Sequence, residues 1–240
     1  MRARFQFKQF SIYQDLSAMK VGTDAVLLAA WAPLSHVPDS ILDIGSGTGV
    51  IALILAQRSP ATLIDAVEIE EQAYIQSVEN FENSPWADRL FCYHADFVEF
   101  YAEMDEKYDL IVSNPPYFEQ PNGAAPMTDQ RQKARFTSSL AYNSLLKGVA
   151  NLLAKTGKFA FILPFSQEQI ILELATKYGL HLQKLTRVKG HANSAVKRSL
   201  MILGFERVKI TPQELIIEES RHHYTPAYRD LTKDFYLRME

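Results

Sequence analysis

Five near-continuous apolar runs of strand length recur along the chain: "SILDIG" from Ser40, "TLIDAVEI" from Thr62, "LFCYHA" from Leu90, "YDLIVSN" from Tyr108 and "KFAFILP" from Lys158. Strands that lack polar alternation are covered on both faces, which is the pattern of a parallel sheet wrapped by helices. Helical patterns over Val50–Arg58, Glu71–Asn83, Ser139–Leu153 and Gln167–Tyr178 supply the crossovers, so the chain reads as repeated βαβ units. Two further runs, "LHLQKLTRV" and "SLMILGFER", are joined by "KGHANSAVKR", which has no room for a crossover helix. They are expected to pair antiparallel as a hairpin at the sheet edge. The sum is an open α/β fold with a seven-stranded, mostly parallel sheet. One domain spans 1–240, with an N-terminal lead over 1–39, including a helix from Asp24, and a C-terminal extension over 210–240.

With 47% hydrophobic and 22% charged residues, the 240-residue chain has the composition of a packed globular protein rather than a disordered one. "MRARFQFKQF" lacks the apolar stretch of a signal peptide, and "AVLLAAWAPL" is too short to span a bilayer, so a cytoplasmic protein is expected. The single cysteine, Cys92, excludes an intrachain disulfide and reads as a strand residue. A monomer with no membrane and no metal is expected, since His222-His223 has no further ligand at metal spacing. The net charge of −3 gives no global attraction to a polyanion. Locally the picture differs: between Glu173 and Glu206 there is no acidic residue, while Lys177, Lys184, Arg187, Lys189, Lys197 and Arg198 all occur.

The first strand delivers Asp43-Ile44-Gly45-Ser46-Gly47-Thr48-Gly49 into a helix. Glycines permit positive φ and close approach of a ligand to the backbone, so this is a ligand loop at the head of the sheet. A dinucleotide fingerprint starting at Gly45 would need glycine where Val50 stands, and no G-K-[ST] is present to hold a triphosphate. Asp43 would repel phosphate but accept from an amino-acid or cationic ligand, a combination S-adenosylmethionine carries. Glu68, with Ile69 beside it, ends the second strand and suits two ribose hydroxyls; Asp96, ending the third with Phe97 beside it, suits an adenine amino group. Each strand-end carboxylate alone also reads as a helix cap or a solvated loop residue. Three at the carboxyl ends of successive strands mark the edge where open α/β sheets bind ligands.

The fourth strand ends in Asn114-Pro115-Pro116-Tyr117. Proline fixes φ and forces the preceding residue into extended geometry, so the strand end becomes a rigid ledge. The Asn114 side-chain oxygen and the Pro115 carbonyl are two acceptors, and Tyr117 offers a stacking face. Such a set suits a planar amine. Accepting both N–H groups favours a tetrahedral nitrogen whose lone pair meets an electrophilic methyl in line. A proline-stopped strand with a packing tyrosine is the plain alternative, but the glycine loop and the two acidic strand ends before it favour chemistry.

At these residues the chain resembles class I, Rossmann-like S-adenosylmethionine-dependent methyltransferases with an N-P-P-Y motif. "MKVGTDAVLLAAWA", "LDIGSGTGVIALILAQR", "SNPPYF", "RQKARF" and "YTPAYRDLTKDFYL" together resemble the bacterial valine-tRNA (adenine-N6)-methyltransferases over nearly the whole chain. The resemblance implies methylation of the adenosine just 3′ of the anticodon. One departure stands out: Arg135 is followed by Phe136 where the family pattern has histidine, so no histidine role is carried over. In that frame "KVGTDA" is expected to cover the cofactor, with Thr23 or Asp24 capping the following helix or Asp24 facing the sulfonium, and Lys20 reaching the substrate backbone. RNA contacts are expected from Lys20, Arg131, Arg135, Lys189, Lys197 and Arg198. A ribosomal-RNA amino group or a protein glutamine amide is the alternative acceptor; an RNA chaperone without turnover is disfavoured by the intact Asn114 ledge.

Overall fold

The computed structural model describes residues 4–17, 19–34, 37–116 and 129–239, the side chains of 129–140 excepted. A small hairpin, β1 (Arg4–Gln6) with β2 (Ser11–Tyr13), and helix α1 (Thr23–Trp31) form the lead. The alternating region runs β3 (Ser40–Ile44), α2 (Val50–Arg58), β4 (Leu63–Glu68), α3 (Glu71–Glu82), β5 (Leu90–His94), α4 (Phe97–Glu103), β6 (Tyr108–Ser113), α5 (Asp129–Leu152) and β7 (Leu153–Pro164). After a 3-10 turn at Phe165–Gln167 come α6 (Glu168–Lys177), β8 (His181–His191), β9 (Val196–Gly204), β10 (Gln213–Ser220), β11 (His223–Tyr224) and α7 (Pro226–Thr232).

The main sheet has the order β11-β10-β8-β9-β7-β6-β3-β4-β5. Strands β3 to β7 are parallel, and β9 lies antiparallel between β7 and β8. The expected α/β class holds, but the described sheet has nine strands, and the β8–β9 hairpin is not its edge. β10 adds in parallel to β8, pairing Gln213 with Thr186 and Leu215 with Val188, and β11 closes on β10. The segment "QELIIEES" escapes a periodicity reading because it buries only Leu215, as an outer strand with one covered position does. Helix α5 starts ten residues earlier than expected, since "DQRQKARF" shows no apolar stripe, and the short α4 was not foreseen.

Two apolar clusters sit on opposite faces of the sheet. Helix α2 is buried on every side from Val50 to Ala56 because α1 packs over it, which is why its sequence is apolar all round rather than striped. Truncating one such side chain, Leu53→Ala for example, costs about 2–5 kcal/mol. Pleating then fixes which strand residues face which layer. Ile41 belongs to the cluster beneath α2, and Leu42 and Ile44 to the other.

Candidate active site

The turn between β3 and α2 holds Gly45, Gly47 and Gly49 at φ of 74°, 57° and 76°, a region an L side chain enters only with strain. The three serve different ends. A Cβ on Gly45 or Gly47 would point into open space, whereas one on Gly49 would lie 2.5 Å from Phe81 Cε1 and 2.9 Å from Ser77 Oγ. The first two leave backbone bare for a ligand, and the third lets α2 start against α3.

Helix α3 holds that loop through a buried polar face. The Asn80 amide nitrogen donates to the carbonyls of Thr48 and Tyr13 at 2.9 and 2.8 Å, and its oxygen accepts from the Tyr13 N–H at 2.8 Å. Gln76 accepts from the Leu16 N–H at 3.0 Å, and Ser77 shares a 3.1 Å hydrogen bond with Ser46. The lead and the glycine loop are therefore tied to one helix. Sequence reasoning missed these residues, although Gln76, Ser77 and Asn80 stand between Ala73 and Phe81, on the face an amphipathic helix reserves for apolar side chains.

Glu68, at the end of β4, accepts from the N–H of Gly47 at 2.8 Å through Oε2 and from that of Glu70 at 2.9 Å through Oε1. A cavity of about 300 Å³ opens beside it, lined by Gly45, Glu68, Ile69, Asp96, Phe97 and Pro115 among others. A neighbouring one of about 340 Å³ is lined by Lys20, Thr23, Asp24, Gly45, Gly47 and Asn114, so the "KVGTDA" lead covers the loop on that side. Both touch Gly45, and together they span the carboxyl ends of β3, β4 and β6. A cleft of about 490 Å³ lies elsewhere, by Pro38, Asp39, Asp109 and Lys158, at the opposite strand ends and away from the glycines.

The structure separates the three strand-end carboxylates. Glu68 and Asp96 line the cavity; Asp96 also caps α4, accepting from the Val98 N–H at 2.7 Å, so the cap and the site coincide. Asp43 lines neither cavity. It points with Ile41 toward α2, is fully buried, and neither oxygen accepts a hydrogen bond from the described residues. Burial pushes its carboxyl up to about 7; the nearby Ala52 N–H pulls it back, and the Glu68 charge raises it further. Direct contact between Asp43 and a ligand is therefore not what this geometry offers. Cys92, whose thiol burial pushes up to about 12, is no nucleophile at neutral pH.

Asn114 is half-buried and follows Ser113, whose hydroxyl donates to the Ile44 carbonyl at 2.9 Å and pins the end of β6 to β3. Pro115 is half-buried against the larger lining of the Glu68 cavity, and Tyr117 lies outside the described residues. Arg131 and Arg135 belong to α5, and their side chains are likewise outside the description. Neither Thr23 nor Asp24 caps α1, which begins after Gly22 with no side-chain cap. Asp24 instead pairs with Arg198 of β9 at 2.8 Å, and Lys189 pairs with Glu214 at 2.8 Å. Lys20 and Lys197 are exposed. Half of the six Lys and Arg of the basic stretch are thus matched by carboxylates from other elements, Arg187 with Glu168 being the third pair.

Among the described residues no group of three or more His, Cys, Asp or Glu is placed to hold a metal, and no helix is long and apolar enough to cross a membrane. A glycine-rich turn with open Cβ directions, an acidic residue at the end of the next strand and an Asn-Pro-Pro ledge at the end of β6 define, on this sheet, a class I S-adenosylmethionine-dependent methyltransferase. The residues fit that cofactor: bare backbone at Gly45 and Gly47, the Glu68 and Asp96 carboxylates, and the apolar wall of Ile69 and Phe97 line two neighbouring cavities that meet at Gly45. Residues 17–163 match the Methyltransferase small domain family. A tRNA1(Val) (adenine(37)-N6)-methyltransferase of Christiangramia forsetii is 56% identical over 98% of both chains, and one of Pectobacterium carotovorum is 42% identical over 99% of this chain and 95% of its own. The chain belongs to the tRNA1(Val) (adenine(37)-N6)-methyltransferase family. At the level of fold alone, it superposes with a TM-score of 0.70 and 19% identity on the crystal structure of a "predicted O-methyltransferase" from Agrobacterium tumefaciens, covering 88% of this chain and 96% of that one.

Proposed function

We propose that the protein transfers a methyl group from S-adenosylmethionine to the N6 amino group of adenosine 37 in valine tRNA, acting as a cytoplasmic monomer with the whole chain forming one domain. The observation that carries this reading is the ledge. Asn114 and Pro115 follow β6 directly; Asn114 lines the cavity of Gly45 and Gly47, and Pro115 the adjoining cavity of Gly45 and Glu68, within a chain 56% identical to a relative named for that reaction. The methyl donor supplies an electrophilic carbon on a sulfonium. The chain's own residues do the rest: the Asn114 Oδ1 and the Pro115 carbonyl accept the two N6 hydrogens, turning the nitrogen lone pair out of conjugation with the ring. The Ser113 bond to Ile44 keeps that ledge from tilting. No strong base is required, because the proton is acidic once the nitrogen is alkylated.

Incubation with labelled S-adenosylmethionine and RNA from cells lacking the gene, followed by nucleoside analysis, tests the reading; label should appear as N6-methyladenosine in valine tRNA. Equal labelling of a release-factor peptide or of ribosomal RNA would overturn it. Asn114→Ala is expected to lower single-turnover methylation on the order of 10²-fold while changing cofactor affinity far less, since one preorganised acceptor is lost. A wild-type rate for that variant would remove Asn114 from the chemistry.

A further inference from the structure

The tip of β7 carries an arrangement that methyl transfer leaves unused. Phe165, in the turn just after Pro164, is 40% exposed. The Arg187 guanidinium carbon lies 5.3 Å from its ring centroid. That guanidinium is not free to wander: Nη2 donates to Glu168 Oε1 at 2.7 Å and Nε to Oε2 at 3.3 Å. Glu168 is itself buried and also accepts from the Ser199 hydroxyl, so the fork is anchored from below. A large ring 40% exposed, with a fixed planar cation over one face, leaves exposed aromatic surface for a further π-system.

Its position relates it to the ledge. In the β6–β7 register Ser113 is level with Phe161; continued by one residue this puts Asn114 level with Ile162, and Phe165 comes three residues further on, one past the end of β7. At about 3.3 Å per residue and about 4.8 Å between strands, the two α-carbons are roughly 11 Å apart. Both stand at the carboxyl edge, and an unstacked strand with one base on the ledge passes Phe165 with the next. Single-stranded RNA is held by this kind of surface, because every base has a π-face and stacking tolerates sequence.

We propose that Phe165, with Arg187 over it, is a stacking platform for a nucleobase adjacent to the target adenosine. The proposal rests on the tRNA reading above. It predicts a split that a merely structural residue would not show. In the full chain, Phe165→Ala and Phe165→Leu should each raise KM for an anticodon stem-loop about tenfold, with cofactor affinity and melting temperature unchanged, and Phe165→Trp should restore it. Stem-loops abasic on the 5′ or on the 3′ side of the target locate the partner. One of them should cost the wild type about tenfold, and on that RNA Phe165→Ala should add nothing.

An active wild type with a Phe165→Ala KM within twofold of its own would overturn the platform alone. So would Leu restoring binding as well as Trp, or an undiminished Phe165→Ala effect on both abasic RNAs. A wild type inactive on every RNA but active on a peptide would overturn the tRNA reading and the platform with it.

Discussion

Asp43 carries its carboxyl into the space beneath the first turns of α2, where the Ala52 N–H is near enough to favour its charged form but neither oxygen meets a described donor in full hydrogen-bonding geometry. Desolvation raises its pKa from the ordinary 3.8 to about 7. The folded state therefore keeps this proton while the unfolded chain releases it, and stability falls as pH rises from about 4 to about 7, then levels off. The difference, at 1.36 kcal/mol per pH unit, amounts to up to roughly 4 kcal/mol. Asp43→Asn does not titrate, so thermal unfolding should show its advantage over wild type growing across that window and constant above pH 8. A gap that did not change with pH would mean the folded carboxyl is ionised and partnered. The sequence made Asp43, Glu68 and Asp96 look alike, as three carboxylates at strand ends. The pleat tells them apart, since Asp43 shares its parity with Ile41 and not with Ile44.

The glycine turn and α3 form one element pair, and their substitutions should separate stability from binding. Gly49→Ala forces a Cβ against Phe81 and Ser77 at a positive φ, and should lower the melting temperature by the equivalent of about 1–3 kcal/mol. Gly47→Val meets no atom but points branched bulk into the space beside Asn114; it should stay folded, at a strain cost of about 1–2 kcal/mol, and lose cofactor binding by isothermal titration. Intact binding by a folded Gly47→Val would make the turn structural only. The turn itself was legible because glycine spacing is a local signal. The α3 clamp was not, because Asn80 reaches Tyr13 and Thr48 from 67 and 32 residues away. Long-range pairing hid the charge pattern in the same way: Arg198 and Lys189 look like a free basic stretch until α1 and β10 bring Asp24 and Glu214 to them.

Charge is divided across the whole molecule along the order of the sheet. The segment Glu68–Asp109 holds twelve acidic and two basic residues, a net −10, so with a total of −3 the rest of the chain carries +7. That acidic segment builds α3, β5 and α4 at one end of the sheet, and Glu70, Glu71, Glu82, Asp88, Glu99 and Glu103 are all exposed there. A polyanion is repelled from that end and drawn to the side of β6, β7 and β9, which is also where Asn114 and Phe165 stand. Bound tRNA should therefore slow hydrogen exchange in the turn between β8 and β9 and around Lys20, and leave β5 unchanged. Within that footprint Lys197, at the start of β9 beside the turn, is exposed, whereas Arg198 is held by Asp24 at the mouth of the cofactor space. Lys197→Ala should weaken tRNA binding and flatten the slope of log K against log salt by about 0.7–0.9, the loss of one phosphate contact, with cofactor affinity unchanged. Arg198→Ala should instead disturb cofactor and tRNA together, because it removes the cation that Asp24 pairs with at the mouth of the space lined by Asn114 and Gly47. Filter binding across a salt series reads both. Equal slopes for Lys197→Ala and wild type would take the turn out of the footprint, and protection of β5 by tRNA would reverse the assigned side.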